Sequence, residues 1–229
     1  MILQVDRVTK QYKNKIAVDR VSFELREGVT GLLGANGAGK TTLMRMMTGI
    51  LNPTSGDIRA DRIPVTSEEY RAMLGYLPQD FGYYPEFSAK DFLMYFAALK
   101  GIDKHQARKR TDELLQLVGL SDVAGKKIKT FSGGMKQRLG IAQAIINDPK
   151  ILILDEPTAG LDPKERVRFR NLIADIAEDT IVLFSTHIVS DIEHIAGNVL
   201  MMRDGILIYE GGWDGSKGNL EDFHMEEFA

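Results

Sequence analysis

Apolar and polar positions alternate at the start of the chain, in Ile2-Leu3-Gln4-Val5 and again in Val21-Ser22-Phe23-Glu24-Leu25, with Lys13-Asn14-Lys15 between them. A period of two belongs to half-buried strands and the polar interruption reads as a turn, so residues 1 to 28 are expected to form antiparallel strands. From Val29 to Leu33 the alternation gives way to a compact apolar run that ends in glycines and leads into the helix-compatible stretch Thr41 to Met47. A strand, a loop and a helix are expected there. Residues 85 to 130 carry helical spacing, with Phe92, Leu93, Phe96 and Leu99 on one apolar face and Leu114, Leu115, Val118 and Leu120 on another. Ile151 to Leu154 and Ile181 to Phe184 are apolar throughout, the pattern of strands covered on both faces of a parallel sheet. Between them Asp162-Pro163-Lys164-Glu165 opens a helix with an acidic cap, proline at the first helical position and glutamate three residues after the cap. Phe169, Leu172, Ile173 and Ile176 give that helix its buried face.

The order of these elements predicts one α/β unit over residues 1–229. It has a mainly parallel core sheet, an N-terminal antiparallel β subdomain and an inserted α-helical subdomain at about residues 80–145. A chain of 229 residues lies near the upper end of what one hydrophobic core supports. No internal repeat or low-complexity segment interrupts it.

Chemistry enters between the apolar strand at Val29 and the helix at Thr41. Gly34-Ala35-Asn36-Gly37-Ala38-Gly39-Lys40-Thr41 matches the phosphate-loop pattern G-x-x-x-x-G-K-[ST] at every fixed position. Glycines let the backbone N–H groups and the helix N-terminus turn toward phosphate oxygens. Lys40 brings a point charge to the β- and γ-phosphates, and the Thr41 hydroxyl is a ligand for Mg2+. The nucleotide-contacting candidates are Gly34, Asn36, Gly37, Ala38, Gly39, Lys40, Thr41 and Thr42. The apolar strand at Ile151 ends in Asp155-Glu156, where ligand sites of open α/β sheets gather. Asp155 is suited to holding Mg2+ through its water shell and Glu156 to orienting or deprotonating an attacking water. The plainer reading of the pair is two solvated charges after a core strand.

Composition narrows the classes. With 44% hydrophobic and 27% charged residues the chain is globular in character, and a net charge of −3 gives no global footprint for nucleic acid. It has no cysteine, which removes disulfides, thiolate metal sites and cysteine nucleophiles. Met1 to Asp6 lacks the charged start and apolar core of a signal peptide. The most lipid-like stretch, Phe92 to Leu99, is far short of the roughly 20 residues that span a bilayer.

Phe131-Ser132-Gly133-Gly134-Met135 resembles the signature sequence of the ABC ATPase family, in which it precedes an apolar strand ending in Asp-Glu. The resemblance covers nearly the whole chain, and it assigns further roles residue by residue. Tyr12 resembles the aromatic that stacks on adenine; a strand-end tyrosine packed on the core would look the same. Gln79, in Leu77-Pro78-Gln79, resembles the loop glutamine near magnesium and the membrane subunit, or is a solvated turn. Ala159-Gly160-Leu161-Asp162 resembles the Asp loop, a role compatible with Asp162 as helix cap. His187, after Ser185-Thr186, resembles the switch histidine that contacts the γ-phosphate, whereas His105, His194 and His224 are read as structural or surface residues. Ser132 caps the helix that runs through Leu139, Ala142 and Ile146, and Gly133 and Gly134 let another chain's phosphate approach its positive end. Phe131 and Met135 depart from the common leucine and glutamine, and Met135 cannot donate the glutamine's hydrogen bonds.

The family implies ATP and Mg2+ as cofactors, hydrolysis of ATP in a head-to-tail dimer with a second ATPase subunit, and integral membrane transporter subunits as partners. It places the chain on the cytoplasmic, inner face of the membrane, with Glu156, His187, Lys40 and Gln79 as catalytic residues. Tyr83, Tyr84, Pro85 and Phe87 are either an aromatic surface for a membrane helix or part of the subdomain's own core. Residues 75–101 and the tail after Gly205 look most like ATPases of bacterial drug, lantibiotic or antibiotic exporters. An importer ATPase and a soluble ABC protein of ribosomes or DNA share the same catalytic residues and stand as alternatives.

Overall fold

The structure, a computed structural model, describes residues 1–213 and Leu220. His224 and most of the tail after Gly212 lie outside the described residues. In chain order the strands and helices begin β1 (Leu3–Tyr12), β2 (Lys15–Leu25), β3 (Gly28–Leu33), α1 (Lys40–Met47), β4 (Ser55–Ala60), β5 (Ile63–Pro64), α2 (Glu68–Met73) and β6 (Leu74–Leu77). They continue with α3 (Ala89–Leu99), α4 (Lys104–Leu117), α5 (Gly133–Ala144), β7 (Ile151–Asp155), α6 (Pro163–Ile176), β8 (Ile181–Thr186), β9 (Asn198–Arg203) and β10 (Ile206–Gly212).

The alternating N-terminal runs pair as expected. β1 and β2 run antiparallel from Leu3 opposite Leu25 to Tyr12 opposite Lys15, and β4 and β5 extend the sheet to the order β2-β1-β4-β5. The second sheet has the order β10-β9-β3-β8-β7-β6, parallel from β9 to β6, with β10 antiparallel at one edge.

The apolar runs are apolar because this second sheet is covered on both faces. Ile151 and Ile153 of β7, Ile181 and Leu183 of β8, Leu32 of β3, and Leu200 and Met202 of β9 enter one core with α1 and the antiparallel sheet. Their neighbours Leu152, Leu154, Val182, Phe184, Leu33, Val199 and Met201 enter a second core with α3, α4, α5 and α6. Each fully buried aliphatic contributes about 1.5–3 kcal/mol, so a strand of four such residues fixes its register firmly.

The helical stretch is expected at 85–130 and is observed as α3, α4 and two short 3-10 turns at Ser121–Val123 and Ile128–Thr130. Phe92, Leu93, Leu114, Leu115, Val118 and Leu120 are buried as the spacing predicts. Leu99 is not: it is 64% exposed. It is the last residue of α3; the chain turns at Gly101 and Ile102 packs on the core in its stead. The aromatic segment divides, with Tyr83 and Phe87 packed against the core and Tyr84 exposed. Asp162 caps α6, accepting the Glu165 N–H at 2.8 Å, and Phe169 meets Phe184 edge-on with centroids 5.9 Å apart. No helix among the described residues is long and apolar enough to cross a membrane.

Tyr70 of α2 is fully buried, and its hydroxyl donates to the Met47 carbonyl at 2.7 Å, tying α2 to the end of α1. Tyr70→Phe strands that carbonyl and is expected to cost about 1–2 kcal/mol, read as a lower urea midpoint at unchanged slope.

Candidate functional site

The loop after β3 and the start of α1 form a cradle held from outside the motif. Gly39 adopts φ 104, and a Cβ there would lie 2.5 Å from the Ala17 carbonyl, so glycine is required by conformation and by space. The Ala38 carbonyl accepts the Gly205 N–H at 2.9 Å, and the Gly205 carbonyl accepts from Asp19 at 2.8 Å. The β9–β10 hairpin and the middle of β2 thus clamp the loop from behind. Lys40 is buried and donates to the carbonyls of Gly34 at 2.5 Å and Ala35 at 3.3 Å.

A cavity of about 620 Å³ opens over this loop. Tyr12, Asn36, Gly37, Ala38, Gly39, Lys40, Thr41, Thr42, Gln79 and Glu156 line it, so most of the residues singled out in sequence meet at one place. Gly34 stands behind it through its bond to Lys40. Tyr12 is 47% exposed, with the Lys10 ammonium 5.4 Å from its ring centre. Its ring is therefore not a core residue and is open to stacking. Lys15, Ile16, Ala17, Asp204 and Gly205 also line the cavity and carry no motif. The signal for the last two was present: Asp204-Gly205 is a strong two-residue hairpin dipeptide, and both residues take positive φ.

The carboxylates follow from β7. Asp155 is fully buried, and its Oδ1 accepts from the Ser185 hydroxyl at 2.9 Å. Burial raises the Asp155 pKa, and the Ser185 bond and the neighbouring Thr41 hydroxyl oppose that rise. Its Oδ2 is buried with no hydrogen-bond partner. Glu156 adopts φ 50, and its N–H donates to the Ser185 hydroxyl at 3.0 Å. Its Oε1 lies 3.6 Å from the Lys40 ammonium and its Oε2 2.8 Å from His187 Nδ1. Burial pushes Lys40 below its ordinary value, and the charges of Glu156 and Asp155 pull it back up. Lys40 and Glu156 line the cavity, while His187 and Asp155 stand outside its lining, His187 joined to it through Glu156.

The donors fit Mg2+. Among the described residues no group of three or more His, Asp or Glu side chains is placed to hold a metal ion by itself. Mg2+ at phosphate sites takes one or two protein oxygens and draws the rest from phosphates and water. Thr41, near the Asp155 side chain, and the orphaned oxygen of Asp155 offer that set.

The sequence model of the ABC transporter family matches residues 18–159. The chain belongs to the ABC transporter family. It is 40% identical over 92% of its length to the uncharacterized ABC transporter ATP-binding protein YxlF of Bacillus subtilis, covering 70% of that protein. It is 37% identical over 91% of its length to the Nod factor export ATP-binding protein I of Burkholderia pseudomallei, again covering 70%. With the linearmycin resistance ATP-binding protein LnrL of Bacillus subtilis the identity is 35% over 92% of this chain and 69% of that one. Among solved structures, an ATP-binding subunit of an ABC transporter superposes over the whole of both chains, with a TM-score of 0.90 at 25% identity. The dimeric post-hydrolysis state of the cassette MJ0796 bound to ADP and Pi matches 93% of this chain and 99% of its own, with a TM-score of 0.85 at 26% identity. The chain is an ATP-binding, ATP-hydrolysing ABC subunit.

In this ABC subunit the signature stands apart from the cavity. Ser132 accepts the Met135 N–H at 3.3 Å as the cap of α5, and Gly133 faces a separate groove with Gln79, Lys136 and Gly160. Neither Ser132, Gly133, Gly134 nor Asp162 lines the phosphate cavity. Phe131 is buried and Met135 packs on the core, so both departures from the common signature serve internal packing.

Gly205 sits at φ 82 with room for a Cβ only 2.9 Å from the Ala17 carbonyl. Gly205→Ala is expected to displace the hairpin from Ala38 and weaken ATP binding about tenfold, a loss near 1.4 kcal/mol, in a calorimetric titration.

Proposed function

We propose that this chain is the ATPase of an ABC exporter, working as a dimer on separate membrane subunits at the cytoplasmic face of the membrane. The observation that carries the catalytic part is the chain of contacts from Lys40 through Glu156 to His187, whose first two members line one cavity with the phosphate loop. Export is supported by relatives named for Nod factor export and linearmycin resistance. A dimer is supported by the dimeric cassette MJ0796 and by the separation of the signature from the cavity, which leaves each chain with half of a closed site.

The geometry and the resemblance to the family together support a role for each residue. The adenine stacks on Tyr12 and the phosphates lie along the loop N–H groups from Asn36 to Thr42. Lys40 exchanges its contact with Glu156 and Gly34 for the β- and γ-phosphates. Glu156, held by His187, orients the attacking water and takes its proton as the water oxygen bonds to the γ-phosphorus and ADP leaves. His187 contacts the γ-phosphate. Thr41 and Asp155, with Gln79 nearby, would hold Mg2+, which when bound neutralises charge on the β- and γ-phosphates. Gly133 and Gly134 of a second chain close the site over the γ-phosphate at a helix N-terminus. Closure driven by ATP and released by ADP requires the two nucleotides to differ in affinity for the closed state. The helices α3 to α5, about residues 80–145, act as a subdomain that carries this change to the membrane subunits.

Glu156→Gln keeps the shape and removes the base. Turnover is expected to fall about 10²- to 10⁴-fold while ATP binding persists, and light scattering with ATP should report a trapped dimer; unaltered turnover takes Glu156 out of its role. For transport, tagged chain recovered from gently solubilised membranes is expected to bring down a polytopic membrane protein in stoichiometric amount. Recovery of ribosomal or DNA-bound partners alone would leave the ATPase and remove transport.

A further inference from the structure

One buried carboxylate takes no part in the chemistry above. Asp191 is 1% exposed and closes the 3-10 turn Val189–Asp191, four residues after His187. Its Oδ2 accepts from the Thr158 hydroxyl, equally buried, at 2.5 Å. Its Oδ1 has no hydrogen bond, and the nearest cation is Arg166, at 3.9 Å. A carboxylate enclosed with so few partners is a costly way to hold a turn. What it holds together is the two segments that deliver Glu156 and His187.

Thr158 lies two residues after Glu156 and Asp191 four after His187. On the other side of the same contact, Ser185 lies two residues before His187. Its hydroxyl donates to Asp155 at 2.9 Å, and it accepts the Glu156 N–H on its hydroxyl at 3.0 Å and its carbonyl at 3.2 Å. The His187–Glu156 contact of 2.8 Å is thus bracketed by side-chain bonds before and after it. Such a bracket is needed because Glu156 adopts φ 50, a backbone conformation unfavourable for a residue with a Cβ. The imidazole itself is half exposed and is aimed by the loop that bears it. Arg166 continues the connection into the Asp loop, donating from Nε to the Leu161 carbonyl at 3.1 Å. Arg170 of the same helix donates to the Ser190 carbonyl at 2.7 Å.

We propose that Thr158 and Asp191 form a buried staple that sets His187 against Glu156, making both of them positioning residues for ATP hydrolysis. The inference rests on the reading that Glu156 and His187 act in hydrolysis. Neither Thr158 nor Asp191 lines the nucleotide cavity, so breaking the staple should lower turnover and spare ATP affinity.

The test compares Thr158→Val with Thr158→Ser in the full chain purified with its copurifying subunits, with Glu156→Gln alongside. Thr158→Val is expected to lower kcat at least tenfold with the Kd for ATP within twofold of the original, and Thr158→Ser, which keeps the hydroxyl, to restore kcat to within threefold. Thr158→Val strands a buried carboxylate, so Thr158→Val/Asp191→Leu, which removes both partners together, provides the same reading where the single variant fails to fold. Undiminished kcat in either folded variant lacking the staple overturns the proposal. So does a loss of ATP affinity in step with kcat, an equal loss in Thr158→Ser, or failure of both variants to fold, which would make the pair a structural core contact. Undiminished turnover in Glu156→Gln overturns instead the catalytic reading on which the proposal rests.

Discussion

β8 lies between β3 and β7 and pairs in parallel with both, so that Leu33 is level with Thr186 and Asp155 with Ser185. Three chain segments far apart in sequence leave the sheet at one height: the phosphate loop, the carboxylates and His187. A side-chain period of two makes this register demanding, since a slip of one residue exchanges the faces of a whole strand. Here both faces are core, and each side has its own set of shapes to fit. Ile151 and Ile153 meet the α1 side while Leu152 and Leu154 meet the helices of the other side. The packing that makes the strands apolar throughout also sets the level of the chemistry.

That level is largely buried beneath the cavity, and it holds charges. Lys40, Asp155 and Glu156 are all buried. Burial works against two of these charges, lowering the affinity of Lys40 for its proton and raising that of Asp155. The groups answer one another in part: Lys40 lies 3.6 Å from Glu156, while one oxygen of Asp155 keeps no partner. A triphosphate with its cation offers what both lack, an anion for Lys40 and a positive charge for Asp155. The polar groups are therefore gathered before nucleotide arrives, and Lys40 has only its contacts with Gly34 and Glu156 to exchange.

Much of this was legible in the chain because the strongest signals are local. The phosphate loop needs its glycines within eight residues, and an apolar strand followed by Asp155-Glu156 needs only two faces of core and an exit. The cap at Asp162 and the strand at Ile181 were equally plain. What the sequence did not disclose depends on tertiary contact. The clamp of Asp204-Gly205 on Ala38 joins residues 167 positions apart, and its only local trace is a turn dipeptide. The exposure of Leu99 depends on where α3 ends, which its apolar spacing does not encode. Thr158 and Asp191 have no motif, and they become legible only when two loops are seen in contact.

The two signature glycines part company in the fold. A Cβ on Gly134 would lie 2.5 Å from Glu165 Oε2, so its lack of a side chain is used within the chain, where α5 meets α6. A Cβ on Gly133 would meet nothing within 4 Å, and the residue is exposed. Internal packing therefore accounts for the first glycine and leaves the second without a use inside this chain. Ser132 satisfies the Met135 N–H, while the N–H groups of the two glycines before it, in the first turn of α5, have no intrahelical partner. Under the proposed dimer those donors face the phosphate of another copy, and Gly133 is where a side chain would stand in the way. The asymmetry separates what the fold requires of the signature from what the assembly requires of it.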